Sequence, residues 1–235
     1  MNKLKYILIS FPFYLIAVFS IVVYLITDIH PRVVISPEGR LVLLGIFCIF
    51  LYIGGRIICK VPTININKIM KITFFIFFML YLSLLLTFTL FDPMFGRNGT
   101  VNFILSDKML LKNYLANSFN IIPFATVIEY VKALLAQSMN LSTIVTNLFG
   151  NLIALAPMAL FLPMFIKKCE NFKHFIIFTA GIVVLIELLQ LIFVTGSCDI
   201  DDLILNVVGA SITFILLRTK LIGKFIKILI PSILK

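Results

Sequence analysis

The chain has 235 residues, of which 61% are hydrophobic and only 13% are charged. Soluble domains are about 45–50% apolar and about 25% charged, so this composition excludes a soluble globular domain and indicates a protein that crosses a membrane several times. The net charge of +10 comes without a basic helix or an aromatic platform of the kind that nucleic-acid binding needs, so we expect membrane lipids and no nucleic acid as partners.

Six apolar runs are long enough to span a bilayer, and each is expected to be a helix because lipid offers the backbone no hydrogen-bond partners. They lie at about 6–27, 41–59, 72–91, 143–166, 174–194 and 203–217. The first run has a basic start but is too long for a secretion signal, so we predict an uncleaved transmembrane helix. The fold class is therefore an all-α, polytopic transmembrane helical bundle of about six spans.

Positive charges predict which side of the membrane each connection occupies. Lysines and arginines are concentrated at the N-terminus, at 56–71, at 167–173 and after residue 217. Cytoplasmic loops carry such an excess, so we predict a multi-pass protein of the cell membrane with both termini in the cytoplasm. The long connection at about 92–142 is then outside, and its stretch NIIPFATVIEYVKALLAQ has the apolar spacing of a short amphipathic helix on the outer interface or of a re-entrant segment.

The last three spans carry polar residues in pairs three or four positions apart, and therefore on one helix face. The pairs are Asn147 and Asn151, Glu187 and Gln190, and Asp202 and Asn206. All six fall in the outer half of their spans, with Glu187 roughly 10 Å deep. Polar groups at such depth face the bundle interior. With Asp199 and Asp201 at the rim, they predict an outward-facing polar pocket.

Simpler structural roles are open for several of these residues. The asparagines could hold neighbouring helices together by hydrogen bonds. Asp201 and Asp202 could be ordinary residues of a helix N-terminus, where carboxylates interact favourably with the helix dipole. Glu187 fits a structural role less well, because a carboxylate inside a span is expected to be paired, protonated or functional.

Four stretches in this order, NIIPF, NLFGNLIALAPMALFLP, ELLQ and DIDDLILNVVGA, resemble the VanZ-like family of bacterial membrane proteins. LYLSLLLTFTLFDPMFGR is similar to that family's helix with a trailing TLF and an arginine. The resemblance covers roughly residues 75–217. It divides the chain into two N-terminal transmembrane helices (1–70), a VanZ-like transmembrane domain (71–218) and a basic amphipathic cytoplasmic tail (219–235).

The resemblance implies a role in the bacterial cell envelope and in glycopeptide tolerance, since the family is named for a protein associated with teicoplanin resistance, but it implies no reaction. The family's recurrent positions fall on Asn120, Pro123, Phe124, Asn147, Gly150, Asn151, Pro157, Glu187, Gln190, Asp199, Asp201, Asp202, Asn206 and Gly209. Many members have an arginine shortly before the acidic motif, where this chain reads TGSC. Arg97, Arg32 or a bound cation would have to replace it.

Three functions are compatible with these residues. In the first, a non-catalytic pocket of Asn147, Asn151, Glu187, Gln190, Asp199, Asp201, Asp202 and Asn206 binds a lipid-linked cell-wall precursor, a lipid head group or the glycopeptide itself. In the second, the protein is an enzyme acting on a lipid phosphate or head group. Its catalytic candidates are Glu187, Asp199 and Asp202, and Asp199, Asp201 and Asp202 would hold a divalent cation, the one cofactor the sequence suggests.

The third function is a small proton-coupled transporter in which Glu187 relays protons. The absence of a detectable inverted repeat in the sequence argues against it. Metal dependence of a measured activity would favour the enzyme, and flux driven by a proton gradient would favour the transporter.

Overall fold

The computed structural model describes residues 2–29, 35–90 and 107–230, and nearly all of them are helical. The helices are α1 (Asn2–Ile29), α2 (Pro37–Ile58), α3 (Ile66–Leu90), α4 (Lys108–Asn117), α5 (Ala125–Leu135), α6 (Leu141–Ala154), α7 (Met158–Phe165), α8 (Phe172–Ile192), α9 (Ile200–Leu217) and α10 (Lys220–Leu229). A 3-10 turn occupies Lys167–Glu170, and two short strands are β1 (Phe119–Asn120) and β2 (Cys198–Asp199).

Within the described residues, six helical stretches are long and apolar enough to cross a membrane. They are Lys3–Thr27, Glu38–Ile58, Ile66–Leu90, Leu141–Phe165, Phe172–Ile192 and Ile200–Leu217. These stretches coincide with the six predicted runs to within a few residues, so the prediction of an all-α polytopic membrane protein is confirmed. The assignment of the termini to the cytoplasm stays a prediction.

Contacts divide the chain into two compact units, one comprising Met1–Leu80 with Lys227–Lys235 and the other comprising Tyr81–Ile226. In the first unit, α1 and α2 pack along each other. The rings of Phe13 and Phe50 lie 5.9 Å apart. At Gly54 a Cβ atom would lie 3.3 Å from the Tyr14 ring, so glycine permits the close approach of the two helices.

The second unit is built around α9, which packs against both α6 and α8. Gly209 of α9 lies so close to α6 that a Cβ atom there would overlap the carbonyl oxygen of Leu152. On the α8 side, Phe214 stacks on Phe175 with ring centroids 4.5 Å apart. The guanidinium of Arg218 lies 3.2 Å from the centroid of the Phe214 ring and extends this cluster.

The fourth span is interrupted at Pro157. α6 ends at Ala154 and α7 begins at Met158, because Pro157 has no N–H to donate and its ring disfavours a continuous helix. The break frees the carbonyl of Ala154, whose hydrogen bond comes instead from the hydroxyl of Tyr81 at 2.7 Å. A backbone group that would otherwise be unsatisfied inside a membrane is thereby paired.

A two-stranded parallel pairing joins the segment before α5 to the segment before α9. Phe119 pairs with Cys198, and Asn120 pairs with Asp199. The backbone N–H of Cys198 also donates to the carbonyl of Ser118 at 2.7 Å. The predicted amphipathic helix is present as α5, and large apolar side chains along it, including Ile128, Val131 and Leu135, are exposed.

Candidate functional site

A cavity of about 540 Å³ lies within the second unit, between the C-terminal half of α3 and helices α6, α8 and α9. Its volume is in the range of small-molecule sites, roughly 300–1,000 Å³. The wall is largely apolar, with side chains such as Leu84, Leu85 and Val183. Such a wall with a few polar groups is typical of a ligand pocket.

Six of the eight predicted binding residues line this cavity. They are Asn147, Asn151, Glu187, Gln190, Asp202 and Asn206. The three pairs of polar residues identified in the sequence therefore converge from three different helices. Gly150 and Pro157, two further positions of the family pattern, also contribute to the wall.

Hydrogen bonds to the protein hold the four amide side chains around the cavity. Asn151 donates to the carboxylate of Asp202, and Asn206 donates to the backbone carbonyl of the same residue at 2.8 Å. Gln190 donates to the carbonyl of Thr89 on α3 at 3.0 Å, and Asn147 donates to the carbonyl of Thr143 at 2.9 Å. Asn151 and Gln190 thus link neighbouring helices, whereas Asn147 and Asn206 bond within their own helices, and all four amides line the cavity.

Glu187 is the most deeply enclosed acid of the cavity wall, with 6% of its surface exposed. Its carboxylate accepts the backbone N–H of Asp199 at 3.1 Å. This contact fixes the C-terminal end of α8 against the segment that begins α9.

Asp201 points away from the cavity and caps α5. Its carboxylate accepts the backbone N–H groups of Phe124 at 2.5 Å, Thr126 at 2.9 Å and Val127 at 3.2 Å. Phe124 has a left-handed backbone with φ of 66°, which brings its N–H into this set. A carboxylate at this position satisfies otherwise unpaired amides and interacts favourably with the helix dipole.

Asp199 is buried beside Asp201 and accepts hydrogen bonds from three segments of the chain. It accepts the hydroxyl of Thr126 at 2.5 Å, the amide of Asn120 at 3.1 Å and the backbone N–H of Asp201 at 2.9 Å. The last of these bonds caps α9. NIIPF and DIDD, two of the family stretches, are therefore joined by hydrogen bonds although about 75 residues separate them.

The three aspartates consequently do not act as one cluster. Asp202 lines the cavity, whereas Asp199 and Asp201 do not. Among residues 2–29, 35–90 and 107–230, no group of three His, Cys, Asp or Glu side chains is arranged to hold a metal ion. The divalent cation that the sequence suggests at Asp199, Asp201 and Asp202 stays a prediction. Arg32 and Arg97, which were considered as neutralising partners, lie outside the described residues.

The carboxylates influence two ionisable groups that lie outside the spans. Burial raises the pKa of the Cys198 thiol, and the negative charges of Glu187 and Asp199 raise it further. Burial also raises the pKa of Tyr130 on α5, with added contributions from Asp202, Asp199 and Glu129. Both shifts indicate a negative electrostatic potential where α5 and β2 meet the start of α9.

Three further residues of this region are not among those predicted from the sequence. Tyr81 and Thr89 line the cavity from α3 and bond to α6 and α8, respectively. Thr126 connects α5 to Asp199. Tyr81 and Thr89 both lie in the stretch LYLSLLLTFTLF, where hydrogen-bonding side chains in an apolar run were the available signal.

A sequence model described as VanZ/LLP1 matches residues 75–223. The matched range includes all residues that line the cavity and the hydrogen bonds that join NIIPF to DIDD. No curated protein and no solved structure matches the chain.

Proposed function

The chain belongs to the VanZ/LLP1 family, whose model covers residues 75–223, and from this membership we propose that it contributes to tolerance of glycopeptides such as teicoplanin in a bacterial cell envelope. We propose that the cavity between α3, α6, α8 and α9 is the binding site on which this function depends. It acts by binding a lipid-linked precursor, a lipid head group or the antibiotic, without turning it over.

The observation that carries the proposal is the convergence of six polar side chains from three spanning helices on one cavity. Polar groups in a span are costly unless they are paired or used, and here amides and carboxylates border open volume. The distribution of lysines and arginines supports an outward orientation of the α8 C-terminus. In that orientation the polar residues lie near the side from which a glycopeptide arrives.

The test is the teicoplanin susceptibility of a sensitive Gram-positive host that expresses the full chain at matched membrane levels. Gly150→Leu is the decisive variant, because a Cβ atom at Gly150 meets nothing within 4 Å and the side chain would grow into the cavity. Gly181→Leu is its matched control: Gly181 also has open space around it, but it does not line the cavity.

We expect the native chain and Gly181→Leu to protect the host and Gly150→Leu to protect it less. Glu187→Gln should also reduce protection, because it removes a charge from the cavity wall. Equal protection by both glycine variants would exclude the cavity as the site responsible for protection. If the native chain gives no protection, the proposed role in glycopeptide tolerance is wrong.

A further inference from the structure

We infer that the cavity takes a hydrocarbon-tailed amphiphile whose head group is uncharged and rich in hydroxyl groups, as in a sugar. This inference rests on the proposed function only in using the same cavity, and it names the class of ligand. The tail would lie along the apolar wall of α3 and α8, and the head group would lie among the amides and carboxylates.

The cavity has a polar end and an apolar end, which two interhelical hydrogen bonds mark. Gln190 bonds to the carbonyl of Thr89 at the polar end, and Tyr81 bonds to the carbonyl of Ala154 at the other. Thr89 and Tyr81 are eight residues apart on α3, which corresponds to about 12 Å along the helix. A ligand that fills this length must therefore be polar at one end only.

The apolar end suits a hydrocarbon chain. Leu84, Leu85 and Val183 line it, and the hydroxyl of Tyr81 is bonded to Ala154, so the ring is what this residue offers to a ligand. Gly150 lies between Asn147 and Asn151 on α6, and the space beside it is open, so a side chain introduced there would reduce the volume left for a ligand. A tail gains little by leaving lipid for such a wall, since lipid is equally apolar, so the head group must supply the selectivity.

The polar end presents two carboxylates and four amide side chains. The amides of Asn147, Asn151, Gln190 and Asn206 each donate one hydrogen bond to the protein, and an amide with two N–H groups and an oxygen can both donate to a ligand and accept from it. Hydroxyl groups also donate and accept, so they complement such a surface. A phosphate would place a negative charge beside the carboxylates of Glu187 and Asp202.

The test uses an alkyl glucoside that carries a photoreactive diazirine at the end of its tail. The full chain is reconstituted in phosphatidylcholine nanodiscs, irradiated with the probe and digested, and the labelled peptides are identified by mass spectrometry. Competitors share one chain length and differ in the head group: dodecyl maltoside offers hydroxyl groups, and dodecyl phosphate offers an anion.

We expect label on α3 and α8 around Leu84, Leu85 and Val183. Dodecyl maltoside should compete about tenfold better than dodecyl phosphate, the ratio expected from one or two hydrogen bonds. Gly150→Leu should lose the label, Gly150→Ala should lose part of it, and Gly181→Leu should keep it. If Gly150→Leu fails to fold, the alanine variant and the competition experiment on the native chain still test whether the probe binds in the cavity.

Label that persists in both Gly150 variants would exclude the cavity as the binding place of the tail. Equal competition by the two detergents would overturn the assignment of the head group. Loss of teicoplanin protection with intact labelling would contradict only the proposed function. Cavity-dependent protection without labelling would contradict only the ligand class.

Discussion

Asp201 and Asp202 are adjacent in the sequence but act in different places, because successive residues of a helix point about 100° apart. Asp201 is 1% exposed and serves the N-terminus of α5. Asp202 is partly exposed, lines the cavity and accepts a hydrogen bond from Asn151. One acidic motif thus provides both a structural cap and a group of the candidate site.

Asp201→Asn should lower the melting temperature of the protein more than Asp202→Asn does. The amide of Asp201→Asn would turn an NH2 group toward backbone N–H donors that now share two carboxylate oxygens. Leaving buried donors unpaired costs about 1–3 kcal/mol, which corresponds to a fall of at least about 2 °C for a chain of this size. The amide of Asp202→Asn would still accept from Asn151 through its remaining oxygen.

The measurement is thermal unfolding of the purified variants in one detergent. Teicoplanin protection provides the complementary readout, in which Asp202→Asn should show the loss of function without the loss of stability. Equal melting temperatures for the two variants would contradict the division of roles between the neighbouring aspartates.

At the scale of elements, the interface between α6 and α9 determines the geometry of the cavity. Gly209 allows α9 to approach the backbone of α6 at Leu152. The same two helices are joined by the bond from Asn151 to Asp202. The small residue and the polar pair therefore act together, as is common where membrane helices pack closely.

Gly209→Ala should destabilise the protein and weaken protection, because the new methyl group would overlap the carbonyl oxygen of Leu152 and force α6 and α9 apart. Overpacking of this kind costs about 1–3 kcal/mol. Gly181→Ala is the matched control on α8, where an added Cβ meets nothing within 4 Å. Thermal unfolding should show a lower melting temperature for Gly209→Ala only. An unchanged melting temperature for Gly209→Ala would contradict the close packing of α6 against α9.

The sequence predicted the elements better than it predicted their contacts. The six spans follow from apolar runs of about twenty residues, and α5 follows from its helical spacing after Pro123. The pairing of Asn120 with Asp199 could not be predicted, because it joins segments 79 residues apart and neither has the length of a strand. Which of Asp201 and Asp202 contacts α5 depends on how these segments meet, so this also required the structure.

At the scale of the whole molecule, the distribution of charge predicts how the protein sits in the membrane. The turn at Lys167–Glu170 carries two lysines, and α10 after the last span carries Lys220, Lys224 and Lys227. α10 also exposes Leu221, Phe225 and Ile228. A helix with apolar and basic side chains of this kind suits the surface of an anionic leaflet.

Single introduced cysteines test this orientation in a background in which the four native cysteines are replaced by serine. Gln137 follows α5 and Lys168 lies between α7 and α8, and both side chains are exposed. A membrane-impermeant maleimide should label Gln137→Cys in intact cells and Lys168→Cys only after permeabilisation. This result is expected because the positive charges at 167–173 predict a cytoplasmic position for that loop. The reverse result would mean that the polar end of the cavity faces the cytoplasm, where an extracellular glycopeptide cannot reach it. That result would contradict both the predicted orientation and the proposed function.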